Sequence, residues 1–128
     1  MTWEAQAPAV GPIRATGRRR GGSGIVLSIF VVDRHGAWHE VLKVDAFGRA
    51  HWHLYTRHHG ERVKSLAGPG VLQGGWEVID HLSEHLADAG YPVAARSMEA
   101  SHALDTLKKG VAQLVDELRP GSLDPGPG

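Results

Sequence analysis

Arg49-Ala50-His51-Trp52-His53-Leu54-Tyr55-Thr56-Arg57-His58-His59 is the stretch whose reading decides the fold. It carries four of the chain's nine histidines. Residues two apart on an extended strand point to the same side. Read as a β-strand, the stretch puts Trp52 and Leu54 on a core face. His51, His53 and Tyr55, flanked by Arg49 and Arg57, fall on the opposite face. His58 and His59 then belong to a tight turn closed by Gly60.

Upstream, Ile25-Val-Leu-Ser-Ile-Phe-Val-Val32 is β-branched and apolar at both alternating positions, the pattern of a central strand covered on both faces. Arg34-His35-Gly36 is a turn, and Ala37 to Asp45 is a second strand. Ala46-Phe47-Gly48 reads as a three-residue hairpin loop with Gly48 in the left-handed position. That loop sets Asp45 opposite Arg49, and hence Lys43 opposite His51, Val41 opposite His53 and His39 opposite Tyr55. Glu61 to Leu66 is a short fourth strand whose charges suit a sheet edge.

Residues 67–75 are glycine-rich and read as a flexible link or lid. From Trp76 the apolar period becomes helical, through Ile79, Leu82 and Leu86, with Gly90 as a C-terminal cap. A longer helix is expected from Ser97 to Leu118, and Pro120 stops it. Strands first and helices afterwards predict an α+β fold: a four-stranded antiparallel meander with two C-terminal helices on one face, the other face open. The domain is expected over residues 24–118, between a disordered basic arm (1–23, with Arg18 to Arg20) and a disordered tail (119–128).

A chain of 128 residues is the size of one domain. Its 14 basic and 14 acidic residues cancel, so no overall field draws it to nucleic acid or to an anionic membrane. Cysteine is absent, which excludes disulfides and thiolate metal sites. The first residues form no apolar signal core, and no run approaches the roughly 20 apolar residues that span a bilayer. The expected location is the cytoplasm.

The alternation gathers imidazole, phenol, guanidinium and amine groups on one open face, and three chemistries fit. Metal-free cleavage of RNA needs a base, an acid and cations around a phosphate; His51 and His53 would be the pair, with Tyr55, Arg49, Arg57 and Lys43 as helpers. A divalent metal could be held by His51 and His53 at His-x-His spacing, completed by His39 or Asp45. The face could instead bind single-stranded nucleic acid or a protein by stacking and polar contacts. Trp52 and Trp76 read as core anchors, and His81 and His85, four apart on a helix, as its polar flank.

Asp45-Ala-Phe-Gly48-Arg-Ala-His51-Trp-His53, set between strands and followed by a helix, resembles the TumE-like toxins of bacterial toxin-antitoxin pairs and related small uncharacterised families. The likeness in layout covers residues 25–88. Ala46 stands where that family often has asparagine, and the second helix with residues 90–96 is additional. The resemblance implies a small α+β toxin acting on RNA or translation, with an antitoxin-like protein as partner. The expected alternative is a non-enzymatic interaction module or homodimer, using the open sheet or the apolar stripe of the 97–118 helix.

Overall fold

The computed structural model describes residues 4–20, 24–45, 51–65 and 71–118. Its strands run in chain order through one antiparallel sheet: β1 (Glu4–Gln6), β2 (Ile13–Arg20), β3 (Gly24–Val32), β4 (Trp38–Asp45), β5 (His51–Thr56) and β6 (Gly60–Ser65). Among the described residues the sheet therefore has six strands, where the sequence predicts four. The two additional strands come from residues expected to form a basic arm. Their inward positions are Ala5 on β1 and Ile13, Ala15, Gly17 and Arg19 on β2. A period of two is present, but apart from Ile13 only small residues and an arginine occupy it, so hydrophobicity does not reveal it.

Those small residues leave room for a helix. Among the described residues four helices follow the sheet: α1 (Val71–Asp80), α2 (Leu82–Ala89), α3 (Pro92–Ser97) and α4 (Ser101–Leu118). The sequence predicts two. The first is split at His81 and begins inside the stretch read as a link. Gly90 closes α2 at φ 96°, as expected of a left-handed cap. Pro92 opens α3, a short helix the sequence does not predict, where its missing N–H leaves no bond unmade. Helix α4 lies on β2 and β1, burying Leu107, Val111, Leu114, Val115 and Leu118, while α2 lies on β5 and buries Leu82 and Leu86 against Trp52 and Leu54. Each such side chain contributes about 1.5–3 kcal/mol by leaving water. The stripe of α4 is thus covered by the sheet and is not a free dimer surface. Among the described residues, no helix is long and apolar enough to cross a membrane.

Two features of β4 set the geometry of the open face. Leu42 pairs with Leu54, Lys43 with His53 and Val44 with Trp52, a register two residues away from the one expected. A shift of two preserves the faces. The connection runs over residues 46–50, so the expected Ala46–Gly48 loop, like Arg49, residues 66–70 and the 119–128 tail, lies outside the described residues.

The second feature is a β-bulge. Ile29 pairs with Leu42 but Phe30 with Glu40, so Val41 is an inserted residue. The insertion inverts the alternation before it. Trp38 and Glu40 join the open face, and His39, opposite Val31, moves to the helix side. Past the bulge β4 no longer pairs with β5, and a notch opens between Trp38–Glu40 and the end of β5.

Candidate functional site

The open face of β5 carries His51, His53 and Tyr55, half-buried, while Trp52 and Leu54 point into the core. The rings of His51 and His53 meet edge to face with centroids 4.9 Å apart. Tyr55 lies almost parallel to His53, 6.1 Å away and 9° inclined. Lys43 stands directly across from His53 on β4, with Ser28 beyond it on β3.

On the other side, β6 supplies a carboxylate. Glu61 pairs with Tyr55, and its Oε1 lies 2.5 Å from His53 Nδ1. An ionised carboxylate can only accept a hydrogen bond, so Nδ1–H donates to Glu61, and in the neutral imidazole Nε2 then carries the lone pair. Alternation along β5 alone does not point to Glu61. The signal lies in the turn from Thr56 to Gly60, which fixes Tyr55 opposite Glu61 and so puts Glu61 diagonal to His53.

The structure assembles four of the predicted site residues and disperses others. His51, His53, Tyr55 and Lys43 share the face. Arg57 does not: β5 ends at Thr56, the Arg57 N–H donates to the Ala89 carbonyl, and its guanidinium lies 5.8 Å over the Tyr91 ring on the helix side. Arg49 lies outside the described residues. His39, expected beside Tyr55 as a metal ligand, is carried to the other face by the bulge and donates from Nε2 to Asp33 Oδ2 at 2.7 Å. That bond, with the backbone N–H groups of Ala37 and His35, holds the Asp33 carboxyl down at about 2.

His85 is not a polar flank. Its ring sits 4.5 Å from that of Trp52, which Lys64 covers at 5.5 Å. Burial, then the Lys64 charge, push the His85 imidazole below its ordinary range. In the basic cluster Arg19 is buried, and its Nε and Nη2 donate to the Leu118 carbonyl at 2.9 and 2.7 Å.

Among the described residues, no group of three or more His, Asp or Glu side chains is placed to hold a metal ion. With His39 on the other face, His51 and His53 do not gain the third ligand expected of it. What the face offers is proton transfer: an imidazole oriented by a carboxylate, a second imidazole beside it, and a lysine opposite. No family model, curated protein or solved structure matches the chain.

Proposed function

We propose that the protein is a toxin-like ribonuclease that cleaves RNA without a metal ion at the His51–His53 face. The observation that carries this reading is the bond from His53 Nδ1 to Glu61, which presents Nε2 as a base within one ring contact of His51. His53 Nε2 takes the proton of a ribose 2′-hydroxyl, and the freed oxygen attacks the adjacent phosphorus. The bond to the 5′-oxygen breaks, and that oxygen takes a proton from His51 in its charged form. The products are a 2′,3′-cyclic phosphate and a 5′-hydroxyl, and the two histidines end with their protonation exchanged. Lys43 and the Tyr55 hydroxyl face the phosphate and stabilise its developing charge.

The test is cleavage of a fluorogenic oligoribonucleotide in the presence of a chelator. His53→Ala and His51→Ala should each lower kcat by about 10²–10⁴-fold. Glu61→Gln, which accepts the same bond without the charge, should lower it less, by at least about tenfold. Equal activity in wild type and the double histidine variant removes the enzyme.

One observation favours a second reading. Val63, opposite His53 on edge strand β6, is 61% exposed, an apolar side chain beside the polar cluster. In that reading the face docks a protein, either an antitoxin-like partner or a second copy in a homodimer. A chain that stays monomeric by light scattering at high concentration excludes the second copy.

A further inference from the structure

The notch between β4 and β5 is a cavity of about 1130 Å³ at the end of the sheet next to the histidine face. Trp38 and His39 line it from β4, Tyr55 from β5, Arg57 from the turn beyond, Arg34 from the β3–β4 turn and Tyr91 from the start of α3. Three aromatic residues thus line one cavity with two arginines, Asp33 and Glu40 lining it as well, and Asp33 is held by His39. Trp38 is braced by Arg14, whose guanidinium carbon lies 4.2 Å from the ring centroid. Tyr55 belongs to both places: it lines the notch and stacks on His53.

Resting on the ribonuclease reading, we infer that the notch receives an unpaired base of the RNA whose phosphate lies at His51 and His53, making single-stranded RNA the substrate class. Aromatic walls give a base its stacking surface, and the guanidinium groups meet the backbone that carries it. A base in a duplex is already stacked and paired and cannot enter between two strands. An extended peptide fits less well. The unpaired strand edges last only a few residues before Leu42 and Leu54 close the ladder, too few to add a strand.

Binding is measured with His53→Ala protein, in which cleavage is slow against the measurement, and a short fluorescein-labelled oligoribonucleotide read by anisotropy. The single strand should bind at least about tenfold more tightly than the same sequence in a duplex. Trp38→Ala should weaken the single strand by about tenfold, and Trp38→Phe should restore most of that. In the cleaving protein, Trp38→Ala should raise KM and leave kcat in place. Arg57→Gln, an exposed position, is the second variant should Trp38→Ala not fold, and should weaken binding and flatten its salt dependence.

Equal affinity for duplex and single strand overturns the inference, as does binding indifferent to both substitutions. So does capture of an extended peptide with no affinity for the oligonucleotide. The two readings fail separately. Cleavage that ignores Trp38 and Arg57 leaves the histidines and removes the notch; single-strand binding that depends on them, with no cleavage in wild type, leaves the notch and removes the enzyme.

Discussion

Gly110 of α4 passes so close to Ala7 that a β-carbon on the glycine would lie 2.9 Å from that of Ala7. The Ala7 β-carbon is fixed to the backbone and cannot swing aside. A glycine inside an exposed helix costs about 1 kcal/mol against alanine, so Gly110→Ala would ordinarily stabilise. Here it must push α4 from the sheet, and overpacking of this kind costs about 1–3 kcal/mol. Gly110→Ala should lower the urea midpoint by the equivalent of about 1 kcal/mol, and Ala7→Gly in the same chain should recover it. A more stable single variant refutes the close approach.

Arg19 holds the far end of the same helix. Its two bonds to the Leu118 carbonyl, made by a cation at a helix C-terminus, satisfy a carbonyl that has no partner within the helix. Arg19→Met keeps the apolar stem and removes the donors. We expect a loss of about 1.5–3 kcal/mol, with faster amide exchange in the last turn of α4. Exchange there that matches wild type would show that the cap is not needed.

His85 gives stability a dependence on pH. Its folded pKa lies below the unfolded value near 6.5, because burial against Trp52 and the Lys64 charge disfavour the cation more than Asp88 and Glu84 favour it. The unfolded chain therefore binds the proton more readily. The contribution of neutral His85 is complete above the unfolded value and is lost as pH falls below it toward the folded one. Denaturation midpoints should drop on going from pH 7.5 to about 5.5, and His85→Phe should flatten that drop. An unchanged slope in the variant would assign it to other groups.

The sequence discloses the structure wherever large apolar side chains mark the pattern. Trp52 and Leu54, and the stripe from Leu107 to Leu118, take the faces that periodicity assigns to them, and the run from Ile25, apolar on both faces, is buried except at the half-buried Phe30 and Val32. It conceals β1 and β2, where close packing of α4 requires Ala5, Ala15 and Gly17 in place of large residues. The histidine face is legible because a register error of two residues leaves the faces intact. His39 is not legible: one inserted residue, Val41, inverts alternation, and nothing in its chemistry announces a bulge. Arg57 leaves the face for a simpler reason, since alternation does not extend past Thr56, where the strand ends.

The packing of α4 on β2 also bears on how the chain is made. A ribosome releases Ile13, Ala15 and Gly17 well before Leu118, and the Arg19–Leu118 contact spans 99 positions. Each hairpin between β1 and β6 can close as it emerges, because every strand pairs with its neighbour in sequence. The helix over β2 arrives only after β6 and the three helices before it have been made. Until then the inward face of β2, from Ile13 to Arg19, lacks the cover that closes it in the finished fold.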